Sequence, residues 1–255
     1  MADTPLPILQ EGFGSTRRRD AWWMEILPVI VVLGGFGLYA TLRAFENQFY
    51  QWGPYLSPFY SPLFNVNWTI FNWRVSPAIL ILGGPLSFRA TCYYYRKAYY
   101  RAFFMDPPSC AVGEPRKSYS GETRFPFILQ NLHRFAFYLA VLFLAALWYD
   151  VFLAFFNWNG GHFGIGVGSI VMLVNIVFLS LYTFSCHSFR HLVGGKLDCF
   201  SCTAATRQRH GAWKRISFLN ERHMLWAWIS LFTVALTDVY IRLVSSGAIK
   251  DLRIL

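Results

Sequence analysis

Residues 165–189 read IGVGSIVMLVNIVFLSLYTFSCHSF and carry no formal charge. A helix needs roughly 20 mostly apolar residues to cross about 30 Å of hydrocarbon, and this run exceeds that length. The stretch therefore predicts a membrane-spanning helix.

Four other runs have the same character, although Arg89 interrupts one of them and Asp150 and Asp238 lie within two others. With the first run they predict spans at about 22–42, 77–104, 127–156, 165–191 and 219–243. The fold class is accordingly all-α, a five-helix transmembrane bundle over residues 22–246. Residues 1–21 form a cytoplasmic N-terminal segment and residues 247–255 an external tail. The aromatic segment 46–73 is expected to lie along the outer interface without spanning the membrane.

The composition of the 255 residues agrees with a membrane protein. Hydrophobic side chains make up 55% and charged ones 14%, whereas about 25% charged residues is usual in soluble domains. This balance excludes a soluble globule, a coiled coil and a disordered chain. The net charge of +10 does not indicate a nucleic-acid partner, because the basic residues lie between apolar spans and not on a soluble face. The protein is instead expected to be in contact with membrane lipid.

The basic residues indicate the orientation, because Lys and Arg in short loops stay in the cytoplasm. Of the 23 bases, 18 precede the first span or lie near the second and fourth connections. The other five are Arg43, Arg74, Arg242, Lys250 and Arg253. We therefore expect a multi-pass protein of the plasma membrane, with the N-terminus and the loops 105–125 and 192–217 in the cytoplasm.

Ionisable groups in a span are costly, and they are functional candidates by default. Five of the six histidines map to the cytoplasmic end of a span or to the loop after the fourth span. They are His133, His187, His191, His210 and His223. This one-sided set indicates a redox or metal centre near the cytoplasmic face.

The densest group combines two histidines with a C-x-x-C pair. His187 and His191 are four residues apart and share one face of a helix, and Cys199 and Cys202 have the spacing by which two thiolates hold one metal. Either a Rieske-type [2Fe–2S] centre or a structural zinc ion accepts such ligands. A single haem b between His133 and His223, or no cofactor, is the alternative. Cys186 and His210 can supply a different pairing.

Five side chains, two of them among these histidines, lie at a similar depth and can bind quinone carbonyls. They are Ser87, Arg89, His133, Arg134 and His223. The alternative for each is an interfacial side chain that reaches water or pairs with a neighbour. Asp150 and Asp238 lie near the opposite face, where each either pairs with an external base or belongs to a proton path.

Several strings are more distinctive than a generic helical bundle. They are SFRATCYYYRKAYYR at 87–101, the proline pair 107–108, GETRFP at 121–126 and QNLHR at 130–134. Through them the chain resembles the cytochrome b-like membrane-anchor subunit of actinobacterial succinate dehydrogenase (complex II), from about residue 22 to residue 242.

The resemblance implies a subunit of an enzyme, succinate:quinone oxidoreductase. Its partners are a flavoprotein subunit, which carries FAD and oxidises succinate, and an iron–sulfur subunit docked on the cytoplasmic side. The electrons end on a quinone, menaquinone in most such organisms. The chain lacks the histidines of two-haem anchors, so the His187–Cys202 group is expected to replace haem as the electron carrier. A transport or structural membrane protein with helices bent at Pro28 and Gly83–Pro85 is the competing class.

Overall fold

The computed structural model describes residues 12–64, 68–70, 73–115, 125, 127–158, 160–195 and 197–255. The chain is 67% helical. Within the described residues the α-helices are α1 (Leu27–Glu46), α2 (Pro77–Thr91), α3 (Tyr93–Tyr99), α4 (His133–Phe156), α5 (Val167–Phe184), α6 (His187–Gly194), α7 (Ala204–Glu221) and α8 (His223–Ser245). The predicted helical class is thus confirmed. Of the string at 121–126, only Phe125 is among the described residues.

Four helical segments are long and apolar enough to cross a bilayer, within the part of the chain that the structure describes. They are Trp22–Glu46, Ile128–Phe156, Val167–Phe184 and His223–Ser245. With a rise of about 1.5 Å per residue, the 24 residues of α4 reach about 36 Å. These segments correspond to the first, third, fourth and fifth predicted spans. The fourth ends earlier than predicted, because the backbone of Ser185 and Cys186 separates α5 from α6.

The second predicted span, 77–104, is not one continuous helix. The 15 residues of α2 cover only about 22 Å, which is less than the hydrocarbon thickness. Cys92 then adopts an extended conformation, with φ −64° and ψ 129°, before α3 begins. A π-helical turn, Tyr100–Phe104, follows and ends at Met105, which has a left-handed conformation. A count of five spans is therefore not confirmed.

The segment between α1 and α2 contains only short elements among its described residues. Strands β1 (Gln51–Trp52) and β2 (Tyr55–Leu56) form one antiparallel hairpin, and β3 (Thr69–Ile70) and β4 (Trp73–Arg74) form another. A 3₁₀ turn, Pro58–Tyr60, follows the first hairpin, and Ser57 caps it by accepting a hydrogen bond from the amide of Phe59. These elements are too short to span a membrane.

The chain divides into two compact units. In the first, residues 1–39 and 90–131, the N-terminal segment pairs with the loop around residue 110. The amide of Gly14 donates to the carbonyl of Gly113 at 3.0 Å. Arg18 donates to the hydroxyl of Ser109 at 2.7 Å and to the carbonyl of Cys110 at 3.0 Å. Polar contacts of this kind hold the N-terminal segment of the unit in place.

The second unit, residues 40–89 and 132–255, has its core where α5 packs against α4 and α8. The core is aliphatic and aromatic: Tyr55, Leu144, Val151, Ala154, Trp158, Met172, Ile176 and Ile241. The C-terminal tail joins it, because the amide of Ile254 donates to the carbonyl of Ile165 at 2.7 Å and Tyr55 donates to Asp251 at 2.8 Å. The unit thus positions the polar residues of its spans on a rigid frame.

Candidate functional site

Arg89 joins three helices of the second unit. It lies in the last turn of α2, and its guanidinium donates to the hydroxyl of Ser230 at 3.0 Å and to the carbonyl of Ala227 at 3.3 Å, both on α8. Its Cζ atom lies 4.7 Å from the ring centroid of Tyr182 on α5. A charge at this depth is costly unless its donors are satisfied. These contacts hold the guanidinium of Arg89 against α5 and α8.

Two histidines stack on the aromatic rings that surround Arg89. The His133 ring lies parallel to Phe88, with centroids 4.9 Å apart, and the His223 ring is stacked on Tyr182 at 5.1 Å. Phe88 and Tyr182 meet edge to face at 5.3 Å. The four rings therefore form a continuous aromatic group between α2, α4, α5 and α8, and we call it the aromatic cluster.

The joint between α5 and α6 supplies the polar partners of both histidines. Nε2 of His133 lies 3.0 Å from the sulfur of Cys186, and Nδ1 of His223 lies 2.7 Å from the hydroxyl of Ser185. The amide of Asn220 donates to the carbonyl of Ser185 at 2.7 Å. Because the helix breaks at this joint, Cys186 contacts α4 and the adjacent Ser185 contacts α8.

A narrow cleft opens beside the aromatic cluster. Its described walls are almost entirely apolar, and among the described lining residues only Arg89 carries a charge. The lining residues are Pro85, Phe88, Arg89, Ala140, Phe143, Leu144, Leu147, Leu179, Tyr182 and Thr183. A flat apolar slot with few polar groups suits a ring-shaped lipophilic ligand that carries carbonyl oxygens.

Gly84 permits the close approach of α2 to this cleft. A Cβ atom at this position would overlap the ring of Phe143. The adjacent Gly83 has open space around it. Gly84 therefore determines where the ring of Phe143 lies in the cleft wall.

The predicted quinone-binding residues divide into two groups. Arg89, His133 and His223 come together around the aromatic cluster. Ser87 instead donates to the carbonyl of Gly84 in its own helix at 2.7 Å. Arg134 is exposed in the first turn of α4, outside the cleft. Nothing in the sequence points to the ring of Tyr182 or to the hydroxyls of Ser185 and Ser230, since uncharged residues in apolar runs carry no signal of their own.

The histidines of the predicted metal group lie on α6. The rings of His187 and His191 are 5.1 Å apart, and with Arg190 and Trp213 they line an open cleft. Cζ of Arg190 lies 4.7 Å from the Trp213 ring. Partial burial lowers the pKa of His187, and the neighbouring His191 and Arg190 lower it further. His187 is therefore held largely neutral at pH 7, the state in which imidazole binds metals.

The cysteines of that group are bonded to each other. Cys199 and Cys202 form a disulfide, with Cα atoms 5.7 Å apart. An iron–sulfur or zinc site that uses these two cysteines as ligands needs them as free thiolates. Within the described residues no group of three or more His, Cys, Asp or Glu side chains is placed to hold a metal. The four residues, as the structure has them, do not fit the predicted [2Fe–2S] centre or zinc ion, and the cofactor stays a prediction. The alternative, a single haem b, also stays a prediction.

Comparison with known proteins identifies the family. Residues 24–247 match the family described as actinobacterial succinate dehydrogenase subunit SdhC. The chain belongs to this family. It is 44% identical to a chain in the solved structure titled "Mycobacterium smegmatis Sdh1 complex in the apo form", with a TM-score of 0.83 and 94% of each chain covered. No curated protein sequence matches it.

Family membership and the apolar helices together establish the general role. The protein is a subunit of succinate dehydrogenase, and its partners are other Sdh subunits. Its several apolar helices make it a multi-pass membrane protein. The predicted family and the predicted class of enzyme are confirmed.

Proposed function

We propose that this subunit anchors the succinate-oxidising flavoprotein and iron–sulfur subunits at the membrane and transfers their electrons to a membrane quinone in the cleft beside Arg89. The observation that carries the proposal is the guanidinium of Arg89 in the wall of an otherwise apolar slot. A quinone has a flat apolar ring and two carbonyl oxygens, so it matches both properties of the cleft.

The residues around the cleft have separate roles in this proposal. Arg89 donates a hydrogen bond to one quinone carbonyl, and its positive charge stabilises the negative charge that develops on that oxygen as electrons arrive. Ser230 and the carbonyl of Ala227 keep the guanidinium oriented before the quinone enters. Phe88 and Tyr182 line the cleft and provide apolar contacts for the ring. Preorganised donors of this kind need little rearrangement when charge develops.

The basic cytoplasmic face supports the docking part of the proposal. The loops 105–125 and 192–217, with their flanks, hold 14 of the 23 bases, and α7 exposes Arg207, Lys214 and Arg215 there. A basic surface attracts an acidic one and orients it before contact. We place the iron–sulfur subunit on this face and the N-terminus on the same side of the plasma membrane. Menaquinone is the proposed acceptor.

The electron carrier between the docked subunits and the quinone is a second part of the proposal. A [2Fe–2S] centre would supply one-electron transfer, and its predicted ligands are His187, His191, Cys199 and Cys202. These residues can bind it only after the disulfide is reduced. His133 and Cys186 form a competing pair, because they are an imidazole and a thiol already in contact.

The quinone site is tested by substituting Arg89 in the assembled complex. Arg89→Gln should lower quinone reduction by about tenfold to a hundredfold, because a charged hydrogen bond at a developing oxyanion is lost. Succinate oxidation with a soluble dye should stay at the wild-type rate. Arg134→Gln is the matched control, since it removes an exposed guanidinium next to the same bundle, and its quinone reduction should be unchanged. Equal quinone kinetics in both variants would refute the placement of the site.

A further inference from the structure

Another cleft lies in the first unit of the chain, beyond the interruption at Cys92. It lies between α3, the π-helical turn and the residues that follow Met105. Three cationic side chains and one carboxylate are among its described lining residues, and we call it the basic cleft. The lining residues are Tyr93, Arg96, Lys97, Tyr100, Arg101, Asp106 and Pro107. They are separate from the residues that line the cleft beside Arg89.

The helical register brings the three cations of the basic cleft together. Lys97 and Arg101 are four residues apart, and residues at this spacing are neighbours on a helix surface. The amide of Tyr100 donates to the carbonyl of Arg96, so the helical path continues from α3 into the π-helical turn. Cζ of Arg96 lies 4.8 Å from the ring centroid of Tyr93. Positive charge is therefore concentrated on one side of this short helical segment.

The chain reverses direction at Met105 and closes the basic cleft. Met105 has a left-handed conformation, with φ 54° and ψ 40°. The amide of Asp106 then donates to the carbonyl of Tyr100 at 3.2 Å. This bond holds Asp106 and Pro107 beside the helical segment. The cleft is thus formed by one continuous stretch of the chain.

Contacts with the first span place the basic cleft near the level of the lipid headgroups. The ring of Phe103 lies close to α1, at 4.0 Å from where a Cβ atom on Gly34 would be. Gly34 is about 10 Å along the helix from Leu27, the first residue of α1. Arg18, which precedes the span, donates to Ser109 at 2.7 Å. The stretch between Phe103 and Ser109 therefore leads from the hydrocarbon to the membrane surface.

Exposed apolar side chains adjoin the basic cleft. Tyr93 is 69% exposed and Phe103 is 48% exposed. On α1, Val31 and Leu38 are exposed as well. Aromatic residues concentrate at the interfaces of a bilayer, whereas the rim of a protein–protein interface is polar. Cations next to exposed apolar surface match the two parts of a phospholipid, which are its phosphate and its acyl chains.

We propose that the basic cleft binds the headgroup of an anionic phospholipid from the cytoplasmic leaflet. Arg96, Lys97 and Arg101 supply charge-assisted hydrogen bonds to the phosphate. Asp106 accepts a hydrogen bond from a hydroxyl of the headgroup, such as the glycerol of phosphatidylglycerol. The acyl chains lie against Phe103 and the exposed surface of α1. Basic pockets beside membrane helices on the cytoplasmic side bind anionic headgroups in this way. The proposal does not depend on the quinone site.

The experiment measures lipid binding to the whole succinate dehydrogenase complex, purified in detergent and depleted of its native lipid. Phosphatidylglycerol and phosphatidylcholine with identical acyl chains are titrated, and native mass spectrometry counts the bound lipids. The wild-type complex should bind phosphatidylglycerol at least about tenfold more tightly. Lys97→Gln/Arg101→Gln should weaken this binding by about tenfold to thirtyfold, because two of the three cations are lost. Lys97→Arg/Arg101→Lys keeps both charges and should keep the affinity.

Arg17→Gln/Arg19→Gln is the matched control. It removes two exposed bases from the same unit, outside the lining of the basic cleft, and should bind phosphatidylglycerol as the wild type does. Equal losses in the two glutamine variants would overturn the proposal, since they would show a general attraction to the basic surface. Equal affinity of the wild-type complex for the two lipids would also overturn it, and this comparison needs no variant.

Two further outcomes would assign the basic cleft to another ligand. Displacement of phosphatidylglycerol by an equal concentration of inorganic phosphate would show that the cleft binds a free anion and not a lipid. Loss of the other Sdh subunits from Lys97→Gln/Arg101→Gln, together with no phosphatidylglycerol on the wild-type complex, would show that the cleft contacts a partner protein. Either result would overturn the proposal and leave the quinone site standing, because that site is tested separately with Arg89→Gln.

Discussion

Nε2 of His133 lies 3.0 Å from the sulfur of Cys186. The contact joins the first turn of α4 to the joint between α5 and α6, where the backbone of Cys186 is extended. Cys186 is 1% exposed, so the thiol side of this contact is shielded from water. The pair therefore fixes the position of the imidazole that stacks on Phe88.

Cys186→Ala should destabilise the second unit. The substitution removes the sulfur that contacts His133 and leaves a small cavity, which together cost about 1–3 kcal/mol. For a chain of this size each kcal/mol corresponds to a Tm shift of about 2–4 °C, measurable by thermal unfolding of the purified complex. Cys110→Ala is the matched control, because Cys110 is an exposed free cysteine. A Tm as high in Cys186→Ala as in the control would show that the contact contributes no stability.

The ligands of the proposed iron–sulfur centre are tested with two double variants of the complex. If His187 and His191 are ligands, His187→Ala/His191→Ala should remove a Rieske-type signal from the EPR spectrum of the reduced complex and stop quinone reduction. His133→Ala/His223→Ala should then keep the signal. The reverse pattern would assign the imidazole ligands to the aromatic cluster. Iron analysis of each assembled complex checks whether the metal itself is lost, and zinc without extra iron in the wild-type complex would refute the centre.

The sequence predicted the long spans well because their signal is local. The charge-free run 165–189 and the apolar run that forms α4 are each long enough to be recognised from hydropathy alone. The interruption at Cys92 is different. Cysteine has no strong backbone preference, and neither proline nor glycine adjoins it, so nothing in the local sequence signals that α2 stops there.

The depth of the candidate site was predictable, and its lateral arrangement was not. Arg89, His133 and His223 each lie near one end of a long apolar run, so their common depth follows from the rise of a helix. His133 and Arg134 are about 100° apart around α4, and both faces of that helix are apolar. Only the packing of α4 against its neighbours determines that His133 points inward. The pairing of Cys199 with Cys202 depends on the oxidation state, which a sequence does not record.

The proposed orientation predicts the labelling of engineered cysteines in intact cells. Lys250→Cys, in a Cys110→Ser background, should react with an impermeant maleimide from outside, because Lys250 is exposed beyond the outer end of α8. Gln208→Cys on α7 is exposed in the subunit and should react only in inverted vesicles. The physical reason is the excess of bases on the α7 side, which retains that loop in the cytoplasm. Labelling of Gln208→Cys in intact cells would reverse the orientation.

Gly84 is expected to control the shape of the cleft. Gly84→Ala places a methyl group against the ring of Phe143 and forces the ring to move, whereas Gly83→Ala adds a methyl group in open space. Alanine favours a helix over glycine by about 0.5–1 kcal/mol, so helix propensity alone would make both substitutions stabilising. Gly84→Ala should nevertheless raise the KM for quinone several-fold, and Gly83→Ala should leave it unchanged, with succinate oxidation by a soluble dye equal in both. Adding Phe143→Leu to Gly84→Ala should restore much of the quinone affinity, since the smaller side chain makes room for the methyl group. An equal KM in the two single variants would mean that the wall formed by Phe143 does not contact the quinone.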